Sequence, residues 1–111
     1  MTAAHLTVEE KRTADEAVLV LTGEIDIATA GSFRDTARRT IATRPARLVL
    51  DFAGVTFCDS QGLAALITLN KDIRAAGGRL QFVNVGEFMS RLLDVTGLRA
   101  AFDAAAEPPA Q

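Results

Sequence analysis

The sequence predicts an α/β domain, a mixed and mostly parallel sheet of four to five strands with helices packed on it. Three observations carry that prediction. The continuous apolar runs Ala17-Val18-Leu19-Val20-Leu21 and Leu48-Val49-Leu50 have the composition of buried strands, and Leu80 to Val85 reads as a further strand. Between them, Thr29 to Ala42 and Leu63 to Ile73 repeat their apolar residues with helical spacing. Glycine or proline stands at the junctions, at Gly23, Pro45, Gly77-Gly78 and Gly97.

Taken in order, Leu6 and Val8 alternate with Thr7 and Glu9, the pattern of an edge strand, and Lys11 to Glu16 reads as a polar turn. Ala17 to Leu21, bounded by Gly23, reads as a strand covered on both faces that pairs antiparallel with the first. Ala30, Phe33, Ala37 and Ile41 then form one face of an amphipathic helix whose other side carries Arg34, Asp35, Arg38 and Arg39. Pro45 closes it, and Leu48 to Leu50 return as a parallel strand through a right-handed crossover, with Asp51 at the strand's end. The turn that follows is placed at Phe57-Cys58-Asp59-Ser60. Ala65, Leu66, Leu69 and Ile73 give the next helix its inward stripe, and Gly77-Gly78 stop it. Leu80 to Val85 form the fourth strand, Phe88, Leu92 and Val95 mark a shorter helix ending at Gly97, and a last short strand is placed near Leu98 to Phe102. The domain is expected to span residues 1–103, with 104–111 as a flexible tail rich in Ala and Pro.

The 111 residues suffice for one core without disulfides or metal. A net charge of -2 supplies no field that would draw the chain to nucleic acid or to an anionic membrane, so the expected partner is a protein. Cys58 is the single cysteine and His5 the single histidine, which suits a reducing, cytoplasmic setting and leaves no zinc-like cluster. Nothing approaches the roughly 20 apolar residues of a membrane span, and no cofactor is called for.

In sheets of this kind, the loops at the C-terminal ends of parallel strands carry function. Gly23-Glu24-Ile25-Asp26 and Phe57-Cys58-Asp59-Ser60 both fall on that rim, so Asp26 and Ser60 are expected to be neighbours. Asp59-Ser60-Gln61-Gly62 sets a hydroxyl beside a carboxylate at the head of a helix, where free N–H groups and the helix dipole tolerate a phosphate. The bland rival readings are Asp59 as an N-cap and Ser60 as a cap, and the enzyme-like rival is a divalent-cation site at Asp26, Asp51 and Asp59. A receiver-like cation site would also want a lysine after a late strand, where the chain has Asn84-Val85-Gly86. Ser60 lacks the flanking glycines of a hydrolase nucleophile, and the only histidine, His5, sits on the edge strand. Gly77-Gly78 is a helix stop rather than a phosphate loop, the arginines at 34, 38, 39, 44 and 47 are a solvated face, and Cys58 is a small buried side chain. The pattern points to a phosphorylation switch and not to a catalyst.

Gly23-Glu24-Ile25-Asp26, Phe57-Cys58-Asp59-Ser60-Gln61-Gly62-Leu63 and Thr96-Gly97-Leu98, in this order and context, resemble the STAS-domain family, and within it the bacterial anti-sigma factor antagonists. The resemblance runs from about Leu6 to Phe102. It implies a STAS fold and a partner anti-sigma factor that is a serine kinase with a histidine-kinase-like ATPase fold, together with a serine phosphatase. It implies that the unphosphorylated antagonist binds this partner and frees the sigma factor, and that phosphorylation ends the binding. Carried onto this chain, Ser60 is the phosphoacceptor, and Asp26, Asp59, Ser60, Gln61, Gly62 and Leu63 form the partner-binding surface. The second function in view is a STAS scaffold or regulatory subunit of a transporter or larger signalling complex. Two departures stand out: Gln61 replaces the usual Ser or Thr, and Asp103 to Pro109 leave little sequence for the family's longer C-terminal helix.

Overall fold

The computed structural model of the chain describes residues 5–99. Its elements are β1 (Leu6–Arg12), β2 (Glu16–Ile25), α1 (Ala30–Ala42), β3 (Arg47–Cys58), α2 (Ser60–Ala75), β4 (Arg79–Val83) and α3 (Glu87–Thr96). The sheet runs β1-β2-β3-β4, with β1 antiparallel to β2 and the other two pairings parallel. This is the mixed, mostly parallel α/β arrangement that the sequence predicts, with four strands among the described residues.

The polar turn is shorter than expected. β1 continues through Arg12 and β2 begins at Glu16, so Thr13 to Asp15 make the connection, closed by the Thr13 N–H on the Glu16 carbonyl at 2.9 Å. Nor is β2 equally covered on its two faces: Ala17, Leu19 and Leu21 are fully buried while Val18 and Val20 are half-buried. The register explains it, because Val18 lies between Lys11 and Val49, and Val20 between Glu9 and Asp51, on a face that mixes valine with charge. On the other face Ala17, Leu19 and Leu21 join Leu48, Leu50 and Phe52 of β3 in the core cluster with α1 and α2.

The largest departure from expectation is the length of β3. Asp51 sits inside that strand, not at its end, and Phe57 and Cys58 are strand residues, not part of a turn. β2 also passes through Gly23 and keeps pairing, Thr22 with Gly54 and Ile25 with Cys58, across two register shifts at Val20/Thr22 and Gly23/Glu24. Gly23 has φ +121°, and a Cβ on it would lie 2.4 Å from the His5 carbonyl oxygen. A glycine that reads as a strand end is here a bulge, where the strand bends and a neighbouring backbone comes close.

The helices follow their spacing more closely. α1 buries Ala30, Phe33, Ala37 and Ile41, and α2 buries Ala65, Leu66, Leu69 and Ile73 together with Gly62 and Leu63. At its C-terminus the Gly78 N–H reaches the Ile73 carbonyl at 2.8 Å, with Gly77 at φ +87°. β4 ends at Val83, two residues early, because Asn84 turns to φ 55° and donates its side-chain amide to Asp51 Oδ1 at 3.0 Å. α3 ends at Gly97 in the left-handed conformation, as expected, and the apolar residues that mark it in the sequence are not the ones it buries. Met89 and Leu93 are buried, whereas Phe88 and Val95 are exposed and Leu92 is only partly buried. Two adjacent stripes of α3 are apolar, so periodicity alone cannot say which one packs. Leu98 and Arg99 are helical rather than extended, and the rest of the strand placed at Leu98 to Phe102, like the tail at 104–111, lies outside the described residues.

Candidate functional site

β3 delivers Asp59 in an extended conformation at φ -106° and ψ -169°, the geometry of an N-cap. Its Oδ1 accepts the N–H groups of Gln61 at 2.9 Å and Gly62 at 3.0 Å, and its carbonyl accepts the Leu63 N–H at 2.9 Å. Its Oδ2 accepts the Ile27 N–H at 3.3 Å, and its own N–H reaches the Ile25 carbonyl at 3.2 Å. One carboxylate therefore caps α2 and clasps the loop after β2.

With Asp59 as the cap, Ser60 is released from that task. It is the first residue of α2 and is exposed, and its hydroxyl makes no hydrogen bond among the described residues. Gln61 beside it is also exposed. Gly62 and Leu63 point the other way, into the core, with Leu63 only 8% exposed. Of the six residues expected at a partner surface, these two support it from beneath.

Gly62 has a physical reason to be glycine. A Cβ there would lie 2.4 Å from the Ile25 carbonyl oxygen and 2.7 Å from Cys58 Sγ, so only glycine lets the first turn of α2 rest on the ends of β2 and β3. Cys58 is buried, and that burial, with the Asp59 carboxylate beside it, pushes its thiol up to about 12. The site has no reactive thiolate at neutral pH.

Asp26 lies on the same rim, as expected, one residue from the Ile27 amide that Asp59 holds. Its role is more structural than the sequence suggests. Asp26 Oδ1 accepts the N–H groups of Ala28 at 2.9 Å and Thr29 at 3.1 Å, while the Asp26 N–H donates to Thr29 Oγ1 at 2.9 Å. The buried Thr29 hydroxyl donates to the Glu24 carbonyl at 2.7 Å, which completes a lock between the end of β2 and the start of α1. Thr29 was missed as a site residue in the sequence reading, although a Thr directly before the first apolar residue of a helical pattern is a helix-start signal. Ile27, 77% exposed, was missed too, because nothing local marks a lone isoleucine as a surface residue.

Asp51 stands apart from this pair. It accepts the Ala53 N–H and the Asn84 amide, which together hold its carboxyl below the ordinary value of 3.8. Among the described residues no three His, Cys, Asp or Glu side chains are grouped to hold a metal ion, and no helix is long and apolar enough to cross a membrane.

The turn thus offers, at a helix N-terminus, an exposed hydroxyl with no hydrogen bond among the described residues, next to the Asp59 carboxylate that caps the helix. A hydroxyl in that position sits where free backbone N–H groups and the helix dipole favour added negative charge. The family described as "Mlab, STAS domain" matches residues 8–102. The anti-sigma-B factor antagonist of Bacillus subtilis is 29% identical over 103 residues, covering 93% of this chain and 94% of the relative. The anti-sigma-F factor antagonist RsfB of Mycobacterium tuberculosis is 33% identical over 88 residues, covering 78% of this chain and 70% of the relative. The crystal structure of an anti-sigma factor antagonist from Mycobacterium paratuberculosis superposes with a TM-score of 0.79 at 27% identity, covering 91% of each chain. With the fold, the rim turn and these matches in agreement, this chain belongs to the STAS-domain family.

Proposed function

We propose that this chain is an anti-sigma factor antagonist switched by phosphorylation at Ser60. In its unphosphorylated form it binds an anti-sigma factor in the cytoplasm and so releases a sigma factor. The anti-sigma factor is itself the serine kinase, of the histidine-kinase-like ATPase fold, and a serine phosphatase reverses the modification. The partner meets Asp26, Asp59, Ser60 and Gln61, with Gly62 and Leu63 holding the turn in place.

The observation that carries this reading is the division of labour at the head of α2. Asp59 satisfies the helix donors, and Ser60 is left exposed and unbonded. A phosphate on Ser60 brings about 1.5 to 2 negative charges, which the helix N-terminus partly compensates, so the fold survives the modification. The surface does not stay the same. The new charge lies beside the carboxylate of Asp59, and a partner that packed against a small hydroxyl must now accommodate a hydrated dianion.

The test is intact mass, followed by phosphopeptide mapping, after incubation with ATP and each candidate anti-sigma kinase. One phosphate on the wild type, mapped to Ser60 and absent from Ser60→Ala, supports the reading. A main site elsewhere, or stable co-purification with a transporter subunit instead of a kinase, removes it in favour of the scaffold.

A further inference from the structure

Single exposed apolar side chains are ordinary on a protein surface, but their joint placement on one region is informative. Among the described residues the exposed large hydrophobics are Ile27, Phe57, Ile67, Phe88 and Val95. Ile27, Phe57 and Phe88 lie at or just beyond the C-terminal ends of β2, β3 and β4, the rim that also carries Ser60, and Ile67 and Val95 each share a helix face with Ser60 or Phe88. Ile27 is tied to Asp59 through its backbone N–H, and Phe57 precedes Ser60 by three residues on β3. The Phe57 ring stacks on Phe88 with centroids 6.1 Å apart and planes 24° apart, which joins the end of β3 to the start of α3. Val95 follows Phe88 by seven residues and Ile67 follows Ser60 by seven, close to two helical turns in each case and so on the same face.

Charge on the outer face of α3 is paired, Arg91 with Glu87 and Arg99 with Asp94, but at the Ser60 turn it is acidic. The carboxylates of Asp26 and Asp59 are hydrogen-bonded by backbone N–H groups and the Thr29 hydroxyl, and neither forms an ion pair among the described residues. Their negative charge is left for a partner to complement.

Building on the antagonist reading, we infer that the anti-sigma factor docks over an apolar surface that surrounds Ser60 and continues across the Phe57–Phe88 stack onto the outer face of α3. The partner face it fits is an apolar groove rimmed by Lys or Arg side chains. The aromatic pair is the anchor, since large rings buried at the centre of an interface carry most of its binding energy. Phosphorylation then acts at one border of an apolar contact, where a desolvated charge is most disruptive.

The test uses the full chain and the anti-sigma factor that phosphorylates Ser60, with affinity measured by titration calorimetry. Phe88→Ser, Ile27→Ser and Val95→Ser are compared with Arg74→Ser, an exposed position in the last turn of α2. The expected result is a loss of about 10-fold or more for Phe88→Ser and Ile27→Ser, a smaller loss for Val95→Ser, and no change for Arg74→Ser. Ile27 and Val95 are 77% and 78% exposed, so those variants keep the wild-type melting temperature and separate lost contact from lost folding. If the wild type binds and is phosphorylated on Ser60 but all three variants bind equally well, this docking surface is wrong and the antagonist reading stands. If the wild type neither binds nor is phosphorylated by any anti-sigma factor, both fall together. A wild-type dimer that Phe88→Ser converts to monomer in sedimentation, with partner affinity unchanged, would give the surface to a second copy of this chain and overturn the inference.

Discussion

Gly62→Ala tests the packing that holds Ser60 in position. The added Cβ would stand 2.4 Å from the Ile25 carbonyl oxygen, 2.7 Å from Cys58 Sγ and 3.0 Å from Ile25 Cγ2, where ordinary contact begins at 3.4 Å. The shortfall against the carbonyl is about 1 Å, and backbone cannot swing aside as a side chain can. That carbonyl also accepts the Asp59 N–H at 3.2 Å, so relieving the clash strains the residue that caps the helix. Overpacking of this kind costs about 1 to 3 kcal/mol, and weakening one hydrogen bond adds about 1 kcal/mol. Alanine's better helix propensity returns about 1 kcal/mol, which leaves a net destabilisation of about 1 to 3 kcal/mol. For a domain of this size that is roughly 4 to 12 °C in melting temperature. Urea denaturation followed by circular dichroism measures it, with Gly31→Ala as the control. Gly31 also lies in a helix, but a Cβ there meets nothing within 4 Å, so that variant should be unchanged or stabilised by up to about 1 kcal/mol. Equal stability of the two variants would refute the close approach of α2 to β2.

Asp59→Ala should cost about 1 to 2 kcal/mol in urea melts, because it removes the α2 cap and the bond to Ile27, whereas Asp59→Asn keeps one acceptor oxygen and should cost less than half as much. Asp26→Asn retains Oδ1 and should melt within a few degrees of wild type while weakening partner binding or phosphorylation; Asp26→Ala, which unlocks Thr29, should lose about 1 to 2 kcal/mol as well. Native Cys58 should resist iodoacetamide at pH 8 until urea unfolds the chain, since its thiol titrates near 12; rapid alkylation of folded protein would contradict its burial. The folded-state value of Asp51 is depressed, so its contribution is fully present above the ordinary value of 3.8 and is lost as pH falls through the folded value. Asp51→Ala should therefore be less stable than wild type at pH 7 by about 1 kcal/mol, and the gap should narrow as pH falls through the depressed folded value, as followed by urea midpoints.

The parts of the fold that were legible in the sequence are those with one dominant signal. α1 has a single apolar stripe, and Phe33, Ala37 and Ile41 pack as their spacing says. Asp59 and Ser60 were legible as a pair because a strand, a capping residue and a helix meet there. α3 was legible as a helix but its buried face was not, because Phe88/Leu92 and Met89/Leu93 are both apolar pairs at helical spacing, and only the packed sheet decides between them. The far half of β3 was misread because its apolar run stops at Leu50, while Gly54 and its partner Thr22 on β2 keep pairing across a bulge, a pairing that no local pattern encodes. Asp26 was placed correctly on the rim, but its bonds to Thr29 exist only once the loop has closed.

The most direct test of the switch is the affinity of one anti-sigma factor for this chain in three forms, unmodified, Ser60→Ala and stoichiometrically phosphorylated on Ser60, at one salt concentration because surface charge is screened. Ser60→Ala should bind as the wild type does, since Asp59 and not Ser60 caps α2. The phosphorylated form should bind more weakly by on the order of 1 to 3 kcal/mol or more, which is about 5-fold to beyond 100-fold, with its circular dichroism unchanged. Equal affinity of all three forms would contradict the account, because it would mean that the turn carrying Ser60 does not face the partner.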